Sequence, residues 1–148
     1  MLPLLAILAA MVVPPMTEAE LRSKADVVVD GTVVSQRAAR VGQRVFTFSV
    51  VVVGEGAQVR SVLVALPGGD VGGFPQRVPG APVLTVGQRY RLYLGPADGP
   101  VDPPSAVKSR GVVGFYRGVF LLDDWRGPGA DPEIVPFGDD GLPLRVAR

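Results

Sequence analysis

The run from Arg44 to Val53, Arg-Val-Phe-Thr-Phe-Ser-Val-Val-Val-Val, sorts its side chains with a period of two. Phe46, Phe48, Val50 and Val52 fall on one face, and Val45, Thr47, Ser49 and Val51 on the other. A pleated strand can bury such a face, whereas a helix of 3.6 residues per turn scatters it. This is the most regular strand the chain predicts. Its flanks, the turns Arg40–Gln43 and Gly54-Glu55-Gly56, make its neighbours strands as well.

The same period recurs on both sides. Ala25 to Ser35 is valine-rich with Gly31 in mid-run, which predicts a first strand bulged or bent at that glycine. Val59 to Leu66 is the third strand and Arg89 to Leu94 the fourth. In the fourth, Tyr90, Leu92 and Leu94 oppose Arg89, Arg91 and Tyr93, so it reads as half-buried, with a solvated outer face. Gly111 to Leu122 predicts a final strand pair or one bent strand kinked at Gly114 and Gly118. Before the first strand, Thr17 and Glu20 have the spacing of a capping box, which starts a short helix over Glu18 to Lys24. Gly95 to Pro104 is a loop, because its prolines remove amide donors that a sheet needs. Asp123 to Arg148, broken by Pro128, Pro132, Pro136 and Pro143, predicts mostly irregular chain with one short strand near Glu133 to Phe137.

Between the third and fourth strands lies a long Gly/Pro-rich insert, Leu66 to Pro82. Five or so antiparallel strands, a bent first strand and this insert match a small all-β barrel of the OB type. An immunoglobulin-like sandwich is the alternative, but it usually needs about seven strands.

At 148 residues and 47% hydrophobic content the chain suits one domain. Residues 17–122 form the barrel, preceded by the apolar segment 1–16 and followed by the Pro/Asp-rich extension 123–148. The formal net charge of +1 disfavours duplex DNA and anionic membrane surfaces as partners. The chain has no cysteine and no histidine, which removes disulfides, thiol nucleophiles, imidazole acid/base catalysis and the usual zinc sites. Leu2 to Val13 has the length of an export-signal core and is too short for the roughly 20 residues of a spanning helix. It reads as a signal for secretion or for the periplasm, with no transmembrane anchor. A start at Met16 and a helix packed on the core are the other readings, since no basic residue precedes the run and no clean cleavage site follows it.

The segments Ala25-Asp26-Val27-Val28-Val29, Phe46-x-Phe48-x-Val50 and Gly87-Gln88-Arg89-Tyr90-x-Leu92-Tyr93-Leu94 resemble the netrin-like OB domains, among them the tissue inhibitors of metalloproteinases. The chain is similar also to uncharacterised exported bacterial proteins with a patterned glycine insert. Here that pattern is Gly68-Gly69, Gly72-Gly73, Val78-Pro79-Gly80-Ala81-Pro82 and Val113-Gly114 through Gly118-Val119-Phe120. The resemblance covers residues 20 to 122 and implies an OB barrel associated with proteases. Those inhibitors chelate the protease zinc through an N-terminal cysteine, and this chain has none. Inhibition by that route is therefore not implied.

Candidate sites follow from side-chain chemistry. Ser105-Ala106-Val107-Lys108 fits the S-x-x-K pattern of serine acyltransferases, but Pro103-Pro104 and Gly111 place it on a loop and its partner motifs are missing. Asp123, Asp124, Asp131, Glu133, Asp139 and Asp140 gather carboxylates of the kind calcium takes, although without a D-x-D-x-D-G loop a solvated acidic rim is the plainer account. Arg89, Arg91 and Tyr93 share one face of the fourth strand, which would serve a single-stranded nucleic acid. The insert carries no phosphate-loop motif. Its glycines supply turns, its prolines stiffen the path, and Phe74 and Val78 are expected to pin it to the barrel.

These readings converge on a non-enzymatic exported module with no cofactor and no metal. It is expected to bind a protein partner through Phe74, Gln76 and Arg77. A nucleic-acid-binding OB domain and a structural envelope protein are the alternatives, and an enzyme with an Asp/Glu-based site ranks below them.

Overall fold

The computed structural model describes residues 16–144. The apolar run Leu2 to Val13, read as an export signal, lies outside the described residues. The chain is mostly β. The described residues begin with a helix, α1 (Glu18–Lys24), followed by β1 (Val27–Val41), β2 (Arg44–Val53), β3 (Arg60–Pro67), β4 (Gly69–Val71), β5 (Phe74–Gln76), β6 (Arg89–Leu94), β7 (Val119–Asp123) and β8 (Glu133–Pro136). An antiparallel six-stranded sheet has the order β3-β2-β1-β6-β7-β8, and β4 pairs with β5 as a separate hairpin.

The N-terminus of α1 forms where its cap predicts: the Thr17 hydroxyl accepts from the Glu20 amide at 3.1 Å. Leu21 is the one buried residue of the helix. β2 and β6 coincide with their predicted segments, whereas β1 runs on to Val41, six residues past the predicted end at Ser35 and into the predicted turn.

Gly31 is the first correction. The register of β1 against β2 shifts between Val33 and Ser35, so the bulge falls at Val34 rather than at the glycine. Gly31 answers instead to a lack of space. A Cβ there would stand 2.6 Å from Val51 Cγ1 and 2.8 Å from the Val52 carbonyl oxygen on the neighbouring strand.

The core gathers Val29 and Val33 from β1, Val51 from β2, Val64 and Leu66 from β3, Tyr90, Leu92 and Leu94 from β6, and Val119 and Leu121 from β7. The inward alternation of β6 is as the sequence predicts, but its other face is not solvated throughout. Tyr93 is only 2% exposed. Phe120 packs edge-on to its ring at 5.9 Å, and the Arg22 guanidinium from α1 covers it at 5.9 Å.

Between β6 and β7 the chain makes a second kind of contact. Ala65 N–H donates to the Arg110 carbonyl at 3.0 Å, and Arg110 N–H donates to that of Leu63 at 2.9 Å. On the other side, Gly95 N–H donates to the Gly111 carbonyl at 2.9 Å and Val113 N–H to that of Tyr93 at 2.8 Å. Segment 110–113 therefore bonds to β3 in parallel and to the end of β6 in antiparallel sense. A 3-10 turn, Phe115–Gly118, then interrupts it before β7 resumes along β6. Gly111 to Leu122 is one bent path, kinked at the predicted place.

The tail also joins the core. β8 forms at Glu133–Pro136, and Val135 and Phe137 pack in the same apolar cluster as β1 and β6. A boundary at residue 122 thus separates residues that share one core.

Candidate functional site

The insert folds into a hairpin because its glycines stand at the tip. Val71 pairs with Phe74 across Gly72 and Gly73, whose φ angles are +63° and +81°. Positive φ at both central residues is the type I′ requirement, the turn whose twist matches two antiparallel strands. The base is fastened by polar groups. Gly68 N–H donates to the Val45 carbonyl at 2.8 Å, the Thr47 hydroxyl donates to the Gly68 carbonyl at 2.9 Å, and Val45 N–H donates to Gln76 Oε1 at 3.2 Å.

The three residues predicted for partner binding therefore have different placements. Phe74 does not pin the insert; at 77% it is the most exposed large apolar side chain among the described residues. Backbone, hydroxyl and amide hydrogen bonds do the pinning, which is why no apolar anchor is needed there. Gln76 spends its side-chain oxygen on the base of the hairpin and positions the other two. Arg77 is exposed, and among the described residues no ion pair or hydrogen bond engages its guanidinium.

Beside the hairpin base lies a cleft of about 770 Å³, lined by Pro67, Val78, Pro79 and Pro82 from the insert and by Asp139 and Asp140 from the C-terminal turn. Val83 N–H donates to the Gly141 carbonyl at 2.8 Å and ties the two together. Gln36 also lines the cleft, donating from Nε2 to the Leu84 carbonyl at 2.8 Å and to Ser49 Oγ at 3.1 Å. Sequence reasoning missed Gln36, Asp139 and Asp140 as cleft residues. The bulge at Val34 sets which way Gln36 points, and bulges leave no reliable mark in a run of valines.

The other candidates are held in structural roles. Arg91 makes a two-point contact with Asp30 at 2.8 and 3.0 Å, and this hydrogen bonding raises the guanidinium above its usual range. Arg89 lies 3.9 Å from Asp124. With Tyr93 buried, the three share a face of β6 but offer no open stacking platform. Burial pushes the Tyr93 phenol up, and the Glu18 carboxylate adds to the rise. Glu18 itself is lowered, first by its hydrogen bond from Arg22.

Ser105 sits on a turn, where its hydroxyl donates to Asp102 Oδ2 at 2.7 Å, and Lys108 belongs to a bridge with Val101. Asp102 is buried and ion-pairs with Arg37 through its other oxygen. The tail carboxylates cap turns and hold an indole: Asp123 Oδ1 accepts from the Trp125 amide, Asp140 Oδ1 from the Leu142 amide, and Glu133 from the Trp125 ring nitrogen. Among the described residues no group of three or more acidic, Cys or His side chains is placed to hold a metal ion. No helix among them is long and apolar enough to cross a membrane.

Comparison of the chain with protein-family models, with curated proteins and with solved structures finds no match in any of the three.

Proposed function

We propose that this chain is a non-enzymatic, exported β-barrel module that binds a protein partner through the hairpin Gly69–Gln76 and the adjoining Arg77. Phe74 carries the reading. A phenyl ring left in water forgoes about 2 kcal/mol of burial, and such a ring on an ordered, fastened element is a contact in waiting. The glycine turn and the polar base fix the hairpin before any encounter, so little ordering entropy is lost on binding.

The barrel part of the reading is supported by the continuous hydrogen bonding from β3 through segment 110–113 to β6, and from β6 through β1 and β2 back to β3. That order, with its one parallel contact, suits the OB type and the netrin-like resemblance. The absence of His and Cys and the commitment of the Ser105 hydroxyl to Asp102 favour contact over catalysis. Export rests on the apolar run Leu2 to Val13.

A photo-crosslinking residue at position 74, in cells secreting the full chain, tests the contact. The expected result is a discrete protein adduct that is lost when the probe is moved to the exposed Val59, just before β3 and at the end of that strand away from the hairpin. A ladder without discrete bands, or equal capture from both positions, overturns the proposal.

A further inference from the structure

We infer that the hairpin and the cleft beside it form a self-complementary surface whose partner is a second copy of this chain. The inference rests on the hairpin being a contact surface and names what meets it. A two-fold contact requires one patch to hold both halves of every interaction, because residue i of one copy meets residue j of the other and j meets i.

This patch holds both halves twice. The first pair is apolar: Phe74 projects as a knob, 77% exposed, while Val78, Pro79 and Pro82 line a hollow of about 770 Å³ that has room for an aromatic ring. Pro75, Gln76 and Arg77 follow Phe74 directly and line that hollow, so knob and hollow lie side by side. The hairpin's fastened base holds Phe74 out of its own cleft and leaves it free to enter another.

The second pair is charged. Among the described residues, Arg77 and Asp139 line the same cleft without a partner, and Asp140 accepts only the Leu142 amide of its own turn. Across a two-fold axis each Arg77 faces the carboxylates of the other copy, so charges that find no ion pair among the described residues of one chain meet between two. A net charge of +1 sets almost no repulsion against the approach.

Sedimentation velocity of the purified full chain, between about 5 and 500 µM at near-physiological salt, tests this. The wild type is expected to shift from monomer to dimer across that range. F74A should raise the dissociation constant at least about 10-fold, as truncation of a central aromatic anchor does. R77E and the double variant D139R/D140R should each be monomeric, and mixing the two should restore a dimer, since the exchanged charges then complement one another. Thermal unfolding of each variant confirms that the fold is intact, and restoration by mixing keeps the test decisive even where one variant is weakened.

A wild type that stays monomeric throughout, a dimer indifferent to F74A and R77E, or a mixture that fails to associate overturns the inference. A monomer whose position 74 still crosslinks a different protein sinks the second copy and leaves the contact surface standing. The absence of any adduct sinks both.

Discussion

Gly31 in β1 and the Gly72–Gly73 pair at the hairpin tip depend on glycine for unlike reasons. Gly31 has an ordinary extended backbone but no room, because Val51 and Val52 press on it from β2. Gly72 and Gly73 have nothing within 4 Å of a would-be Cβ, but their φ angles are ones that other residues adopt only at a cost. One glycine lets two strands approach; the others let a chain reverse. The contrast separates what maintains the fold from what shapes a surface, and substitutions on the two sides should be separable by measurement.

The largest effect is expected at Gly31. Gly31→Val places a branched side chain against the backbone oxygen of Val52, which cannot turn away as a side chain can. A loss of about 3 kcal/mol in chemical unfolding is expected, the upper range for overpacking. A loss under about 1 kcal/mol would mean that the β1–β2 contact has slack, and the contrast with the hairpin would weaken.

How much of this was legible follows the same division. The strands of the wall could be read from periodicity, since Arg44–Val53 and Arg89–Leu94 alternate without interruption and the structure keeps their ends. The purpose of Gly31 could not, because a glycine in mid-strand signals either a bulge or a close approach, and only the neighbour across the sheet decides. Tyr93 was misplaced for a related reason: alternation assigns it to the face opposite the core but says nothing of α1 and Phe120 covering that face. The hairpin was legible as a stiff insert, not as a pair of strands, because three residues a side is too short to show a period. Its polar fastening joins Gln76 to Val45 across thirty-one positions, and such pairings come from topology.

Gly73→Ala comes next in size. The left-handed conformation costs an L-residue about 1 kcal/mol, and that strain falls on the tip alone. The expected result is faster amide exchange over Gly69–Gln76 with protection in β1 and β6 unchanged. Faster exchange across the sheet as well would show that the hairpin and the wall unfold together.

Tyr93→Phe probes the boundary between the two, where α1 closes the outer face of β6. Burial raises the Tyr93 phenol above its ordinary value of 10.0, so the folded chain keeps a proton that the unfolded chain loses. The stability linked to it is complete below pH 10 and is lost as pH rises through the folded value. The variant has no such proton to lose. Its stability should therefore fall less steeply than the wild type's above pH 10 and run parallel to it below, as read from unfolding midpoints across the alkaline range. Parallel curves throughout would mean that α1 opens before the phenol ionises.

The smallest effect on stability is expected at Phe74, although it is one of the largest apolar side chains in the molecule. A core phenylalanine cut to alanine costs about 3 to 5 kcal/mol because it leaves a cavity and surrenders its burial. At 77% exposure Phe74 has little burial to surrender. Phe74→Ala should leave the unfolding midpoint within about 0.5 kcal/mol of the wild type while losing the contact made at position 74. If unfolding shifts by several times that amount, the ring serves its own chain, and the hairpin belongs with Gly31 on the side of the fold. If the midpoint holds while the contact is lost, the exposed ring is retained for something outside the monomer, because the fold gains nothing from it.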